Sequence, residues 1–406
     1  MFHIHLPKFA PQRLAIKLNV AGERSVRNGH PWIFSESIEK INKEAHSGDV
    51  AIIFSHSKNK PIGVGLYDPD SPIRLKMLHS GGGAQINSAF FADRIERAFS
   101  LRHELLETNT NSYRLLFGEN DGFPGLIADV YAGVLVIKLY STIWFPYIEQ
   151  IIEHLITISN CEAVVIRLSR RLQQTESYGL KDGTIFYGNL DNETVHFIEH
   201  GVHFSAHVIL GHKTGYFLDH RENRRQVGLL SKSKKVLDVF SYAGGFSVHA
   251  LANGATEVTS VDISKQALEL AVENGKLNEF KGVHTTLAGD AFTVLQQLIE
   301  QKKTFDVVVI DPPSFAKSKK EVDIAKKKYS QLAKLGIALT AKNGLLVLAS
   351  CSSRITSEAF FAINETVLNS QHRNYNVVQK TNHDIDHPIS FSEGAYLKCG
   401  YYRFIN

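Results

Sequence analysis

Between residues 236 and 351 short apolar runs alternate with stretches in which apolar residues recur every three to four positions. The runs are VLDVF (236–240), EVTSVD (257–262), HTTLAGD (284–290), FDVVVIDPP (305–313) and GLLVLASC (344–351). Helices are predicted from Phe246, from Ser264, from Ala291 and through Lys334–Thr340. Apolar strands separated by helices predict a mostly parallel, doubly wound α/β sheet covered on both faces.

The first 80 residues read differently. Leu14–Val20 alternates, and Gly48–Phe54 and Pro61–Tyr67 are strand-like, with turn residues such as Asp68-Pro69-Asp70-Ser71-Pro72 between runs. This predicts a small β-rich domain over 1–80. Gln85–Leu106 has helical spacing. Residues 81–200 then read as a central α+β domain, with a hairpin over 126–140, a helix over 148–158 and a strand over 163–169. In Val202–Leu210, Val202, Phe204, Ala206 and Val208 are expected inward, with His203, Ser205 and His207 outward. The third domain is placed at 201–406.

At 406 residues, with 43% hydrophobic and 21% charged residues, the chain has the make-up of a multidomain globular protein. No apolar run reaches the length of a membrane span, and Met1–Ala10 lacks the apolar core of a secretory signal, so a cytoplasmic protein without a membrane partner is expected. Cys161, Cys351 and Cys399 are few and far apart, as in a reducing compartment, and form no C-x-x-C pair. His203 and His207 share a strand face but stand roughly 13 Å apart, too far for one ion. His3 and His5 lie at a terminus. No metal is expected.

The net charge of +4 permits a nucleic-acid partner without requiring one. Its distribution is more telling, because residues 1–80 hold eleven Lys/Arg against seven Asp/Glu, an excess equal to that of the whole chain. Arg24, Arg27 and His30 flank Trp32, a pattern suited to RNA backbone contact and base stacking. Trp32 is assigned to the core and the arginines to an RNA face. Arg167, Arg170 and Arg171 form a basic knot that a solvated loop explains. Lys317, Lys319, Lys320 and Lys326–Lys328 are expected to form a basic helix open to RNA phosphates.

The chemistry gathers at strand ends. Asp238, Asp262, Asp290 and Asp311 each close a run in the C-terminal part, and Cys351 closes the fifth. In an open parallel sheet the ligand crevice lies beyond these carboxyl ends. A helix N-cap role explains one or two of the acids but not the series. Gly244 and Gly245 follow the first strand directly, so the G-x-G-x-x-G of dinucleotide enzymes is absent and an adenosyl ligand is favoured. Asp262 is one β-α-β step on, where such folds bind a ribose diol; Asp290 is placed to take an adenine amine, and Ile263 and Phe292 to flank the ring. Asp311-Pro312-Pro313-Ser314-Phe315 would set a carbonyl and an aromatic beside the reacting group. Cys351, flanked by serines at a strand end, is a poor core position and a candidate nucleophile. Its thiol is expected to titrate below the usual value. Thiolate addition to C6 of a pyrimidine would make C5 nucleophilic enough to take a sulfonium methyl.

VLDVFSYAGGFSVHAL (236–251), VDISKQALELAVENGKLN (261–278), DPPSFAKSK (311–319) and LLVLASCSSRI (345–355) resemble the class I methyltransferase core of the ribosomal RNA large subunit methyltransferase I family. GHKTGYFLDHRENR (211–224) is similar to its segment before the core, RSVRNGHPWIFS (24–35) to the start of its PUA domain, and GENDGFPGLIADVY (118–131) to its central domain. The resemblance implies a Rossmann-like sheet and S-adenosylmethionine-dependent cytosine-C5 methylation of 23S ribosomal RNA. It implies Cys351 as nucleophile and Asp311 between donor and base. The donor site would comprise Asp238, Tyr242, Gly244, Gly245, Asp262, Ile263, Asp290, Ala291 and Asp311, with Lys213 and Phe217 closing over it. His212 and His220 stand where many members carry glutamine, and neither side chain is given a role. No second cysteine follows Asp311-Pro312, so the base that removes the C5 proton is unassigned. A homodimer is among the assemblies left open. Two rivals remain: methylation at another position such as a guanine nitrogen, and an RNA-binding assembly factor with a vestigial donor site.

Overall fold

The computed structural model describes residues 1–175 and 177–405. The chain divides into two compact units, one of residues 1–198, 205–218 and 385–392, the other of 199–204, 219–384 and 393–406.

Among the described residues, a six-stranded and a five-stranded sheet lie in the first unit. Six strands pair in the order Trp32–Phe34, Ile73–Ser80, Pro61–Tyr67, Val50–Phe54, Arg13–Leu18, Ile38–Ile41. The alternation read through Val20 stops at Leu18. Asn19 accepts from the Gly22 amide, which starts a helix over Val20–Arg27 that the strand pattern concealed. Arg24 and Arg27 stand exposed on that helix, with Arg27 paired to Glu23. Trp32 is only half-buried, with His30 and Phe391 against its ring and its Nε1–H donating to Glu119; Ile33 supplies the core contact instead.

Five strands form the second sheet, in the order Thr184–Tyr187, Ala163–Leu168, Val134–Leu139, Leu126–Tyr131, Ser112–Phe117. The hairpin over 126–140 and the helix Ile148–Ser159 are present as expected. The Gln85–Leu106 periodicity resolves into two helices, Ser88–Ser100 and His103–Leu106. Of the basic knot, Arg167 is buried and fixed by both oxygens of Asp182, so it belongs to neither a solvated loop nor an RNA face; Arg170 and Arg171 are exposed. Ser205 is buried rather than outward.

The second unit carries α1 (Arg221–Leu230), β1 (Lys235–Val239), α2 (Gly245–Ala252), β2 (Glu257–Asp262), α3 (Lys265–Lys276), β3 (Val283–Ala288) and α4 (Ala291–Glu300). β4 (Phe305–Ile310), α5 (Val322–Leu339), β5 (Thr340–Ser350), α6 (Ser357–Ser370), β6 (Tyr375–Thr381) and β7 (Lys398–Phe404) complete it. Strand order is β3-β2-β1-β4-β5-β7-β6. The first five strands are parallel, as the pattern predicts, and β7 runs antiparallel to both β5 and β6. β6 and β7 were not legible as strands. The helix expected to reach Thr340 ends at Leu339, where β5 already begins.

Ser264, Asp290 and Thr356 cap α3, α4 and α6 by accepting backbone amides with their side chains. Gly336 lets α5 lie close on the sheet; a Cβ there would stand 2.8 Å from Ile310 Cδ1 and from Leu346 Cδ1. Val308, Ile310, Leu346 and Leu348 fill the core on that side. This rigid layer fixes where the strand ends point.

Candidate active site

Parallel order places the ends of β3, β2, β1, β4 and β5 side by side, so Asp290, Asp262, Asp238, Asp311 and Cys351 fall along one rim. Part of each donor-side acid serves the backbone. Asp238 Oδ2 accepts from the Ser247 amide at 3.0 Å and its hydroxyl at 2.6 Å, capping α2. Asp290 Oδ1 accepts from the Thr293 amide at 3.1 Å. Asp262 accepts from the Tyr242 and Ser264 amides at 3.0 and 2.9 Å. Capping therefore accounts for two of these acids, and a turn for the third.

The connection from β1 to α2 is sharply bent. Phe240, Tyr242 and Gly244 adopt left-handed φ values of 64°, 46° and 77°. Two of the three carry a side chain, which is costly unless surrounding contacts hold the turn. The Asp262 bond to Tyr242 and the Ser241 amide bond to the Val261 carbonyl do so.

Asp238 is wholly buried, and its Oδ1 has no partner among the described residues. Burial raises its pKa to about 7, with Asp311 and Asp262 adding to the effect. An unpaired buried carboxylate oxygen is suited to a ligand cation. Ile263, 76% exposed at the end of β2, is an apolar surface suited to an adenine face. Asp290 is exposed, Ala291 buried and Phe292 half-buried beside it. These residues fit an S-adenosyl ligand: an acid for its ammonium, a carboxylate near a ribose position and an apolar wall. Lys213 and Phe217 belong to the first unit and are exposed there.

At the β4 and β5 ends three functional groups meet. Cys351 Sγ lies 3.8 Å from Asp311 Oδ1 and 3.6 Å from His220 Nε2, and that nitrogen lies 3.3 Å from Asp311 Oδ1. Strand pairing explains the first contact, because β4 and β5 are parallel neighbours with Ile310 opposite Leu348. Sequence reasoning missed His220, which comes from 131 residues upstream and precedes α1. Its sequence signal is a titratable ring where the resemblance implies glutamine.

The Cys351 thiol does not titrate low. Burial pushes it well above the ordinary thiol range, and Asp311 and Asp219 push further, against a weaker opposing pull from Lys398. Two carboxylates near a poorly solvated sulfur disfavour a second negative charge. For His220, burial opposes the charged form, but Asp311 outweighs it and the pKa is raised.

Lys398, also unforeseen, is buried on β7 and donates to the carbonyls of Ser352, Ile355 and Tyr396. It pins the loop that follows the cysteine. Burial lowers its pKa to about 8. Cys161 and Cys399 are buried, and burial raises both thiols. After Asp311-Pro312-Pro313, the Phe315 ring packs on Tyr329, and Tyr329 hydrogen-bonds Ser350 at 2.9 Å. Lys317, Lys319 and Lys320 are exposed beyond this turn; Lys328 lies over the Phe315 ring, and Lys326 pairs with Asp323.

Comparison with known proteins identifies two regions. A family model described as S-adenosylmethionine-dependent methyltransferase matches residues 113–394, and one for a PUA-like domain matches 16–80. A protein named ribosomal RNA large subunit methyltransferase from Deinococcus radiodurans is 40% identical over 97% of this chain and 98% of its own length. Ribosomal RNA large subunit methyltransferase I of Shewanella frigidimarina is 34% identical over 95% of this chain and 98% of its own. Among solved structures, a proposed S-adenosylmethionine-dependent methyltransferase from Streptococcus mutans matches with a TM-score of 0.80 at 21% identity, covering 96% of this chain and 99% of that one. Another proposed methyltransferase, solved with S-adenosylhomocysteine, gives 0.79 at 21% identity over 97% of this chain and all of that one. The expected class I fold, PUA-like region and S-adenosylmethionine dependence are thereby established.

Proposed function

The chain belongs to the S-adenosylmethionine-dependent methyltransferase family that includes the ribosomal RNA large subunit methyltransferases, and we propose that it methylates C5 of a cytosine in 23S ribosomal RNA. The observation that carries the C5 reading is the meeting of a thiol and a carboxylate at adjacent strand ends: Cys351 Sγ 3.8 Å from Asp311 Oδ1. Methylation of a ring nitrogen needs no such thiol.

Cytosine C5 is a weak nucleophile until C6 carries an added group. Cys351 adds through sulfur to C6, and Asp311 binds the N3 edge and the charge that develops there. Bound S-adenosylmethionine supplies the sulfonium methyl group that C5 takes. Asp238 would hold the donor's ammonium, and Asp262 and Asp290 its adenosine, with the Tyr242–Gly245 turn, Ile263 and Ala291 completing the surface. Loss of the C5 proton then allows the C6–S bond to break and frees the thiol. A base inside folded RNA must be turned out of its stack to reach the rim. Exposed Lys317, Lys319 and Lys320, with Arg24 and Arg27, are suited to its phosphates. Among the described residues no helix is long and apolar enough to cross a membrane. The rRNA assignment is consistent with action in the cytoplasm.

Mapping 5-methylcytosine in ribosomal RNA from cells with the wild-type chain, with Cys351→Ala and without the protein tests this reading. Loss of one 5-methylcytosine in both altered strains, with donor binding intact in Cys351→Ala, supports it. An unchanged modification in Cys351→Ala rejects the C5 mechanism. Absence of donor binding in the wild type favours a vestigial site.

A further inference from the structure

His220 comes to the reacting thiol with its hydrogen-bonding role already fixed from behind. Its Nδ1 lies 3.1 Å from Asn223 Nδ2. The orientation of that amide follows from its other end. Asn223 Oδ1 accepts from the Thr381 hydroxyl at 2.7 Å and the Tyr401 hydroxyl at 2.9 Å. Each hydroxyl has a single hydrogen; the backbone acceptors within reach, Cys399 O at 3.5 Å and Asn223 O at 3.4 Å, are farther, and the side chains of Cys399 and Gln379 also neighbour these hydroxyls. The oxygen of Asn223 is therefore occupied and its NH2 faces the imidazole.

An NH2 facing Nδ1 requires a lone pair there. Neutral His220 is then the tautomer with hydrogen on Nε2, the nitrogen at 3.3 Å from Asp311 Oδ1 and 3.6 Å from Cys351 Sγ. If the ring is charged, Nε2 carries hydrogen as well. In both states Nε2 is a donor with no lone pair to offer the thiol or a metal ion. His220, Asn223 and Tyr401 are buried, and Phe246 packs edge-on against the imidazole with centroids 5.6 Å apart, which holds its plane. α1, β6 and β7 each contribute one member of this relay.

We propose that His220 is a catalytic hydrogen-bond donor in this chain, fixed as such by Asn223, and that the Asp311 carboxylate, not the imidazole, takes the Cys351 proton. This rests on the C5 reading for its consequence in catalysis. The S–H bond breaks, the proton passes to Asp311 Oδ1, and the electron pair left on sulfur forms the S–C6 bond. The displaced ring electrons move to N3, which takes the proton from Asp311. Nε2–H of His220 donates to the sulfur while it is negative and to Asp311 before and after. A glutamine amide at this position could make the same donation.

The test is the pH dependence of Cys351 alkylation by iodoacetamide, followed by mass spectrometry in the intact, RNA-free protein. The charged groups acting on the thiol are Asp311, Asp219 and Lys398, and those acting on His220 are Asp311, Asp219 and Arg224; all stay unchanged in the variants. His220→Gln should leave the profile within a few tenths of a pH unit, because the donor is retained. His220→Ala should move it to higher pH by about one unit and cut methyl transfer on the order of tenfold or more. A profile in His220→Gln displaced as far as in His220→Ala, or one unmoved in His220→Ala, overturns the proposal. Long-range proton–nitrogen NMR of labelled histidine is a second readout. Neutral His220 should be protonated on Nε2, and protonation on Nδ1 alone would overturn the relay. The alkylation profile and the NMR readout do not depend on methyl transfer, so failure of the C5 reading would show separately, as full activity in Cys351→Ala.

Discussion

Gly244 leans directly on Ala271: a Cβ at residue 244 would stand 2.7 Å from the Ala271 Cβ and 3.1 Å from its Cα. The turn leaving β1 thus packs against α3 with no room for a side chain, and its φ of 77° disfavours one as well. Gly244→Ala should destabilise the protein by about 1–3 kcal/mol and weaken S-adenosylmethionine binding with it. Thermal melts with and without donor check this. A variant that melts and binds like the wild type would mean that the turn relaxes freely.

Asp238 predicts a pH effect of definite sign. Its folded pKa is raised from 3.8 to about 7, chiefly by burial. The stability it contributes is complete below about pH 4 and is lost as pH rises through 7. Asp238→Asn should therefore flatten the fall in melting temperature of the donor-free protein between pH 5 and 8. If the donor's ammonium pairs with this acid, binding at pH 6 should release a proton, seen as a calorimetric enthalpy that changes with the buffer's ionisation heat. Buffer-independent enthalpies would place the ammonium elsewhere.

Cys351 should be sluggish in the resting enzyme. Burial and the carboxylates of Asp311 and Asp219 keep its thiol protonated at neutral pH. Iodoacetamide should modify it more slowly at pH 7.5 than it modifies a free-cysteine peptide, with the rate still climbing above pH 9. Rapid modification at pH 7 would indicate a thiolate already formed.

Glu199 is wholly buried, yet its pKa is lowered. Burial opposes the charge, but Arg224, at 2.7 Å to each oxygen, and His249 at 2.9 Å more than compensate. Glu199→Gln would leave Arg224 buried without its counter-charge, at a cost of about 3–5 kcal/mol. Urea denaturation should show a lower midpoint with an unchanged slope. A shift under 1 kcal/mol would mean that the cluster is easily replaced.

Lys317, Lys319 and Lys320 are exposed near the Asp311 turn. Replacing all three with alanine should weaken RNA binding and reduce the slope of log affinity against log salt by about 2, while donor binding holds. An unchanged slope would assign these lysines to solvent.

The sequence by itself determined the parallel part of the sheet, because strands buried on both faces must be apolar throughout and VLDVF, EVTSVD and FDVVVID have few other uses. It also placed Asp238, Asp262, Asp290, Asp311 and Cys351 on one rim, since strand ends are read in order along the chain. It did not reveal β6, whose exposed polar positions blur the period, nor β7, a buried strand whose short run is broken by Lys398 and Gly400, nor the Val20–Arg27 helix, which starts from a single asparagine cap. What only the tertiary structure decided was the environment of the thiol. Its titration depends on the burial and two carboxylates that the fold assembles, which is why the expected low pKa was wrong in sign. His220, Asn223, Thr381, Tyr401 and Lys398 are likewise drawn from distant segments. No local pattern can signal them, because a hydrogen-bond relay exists only once three separate elements have packed together.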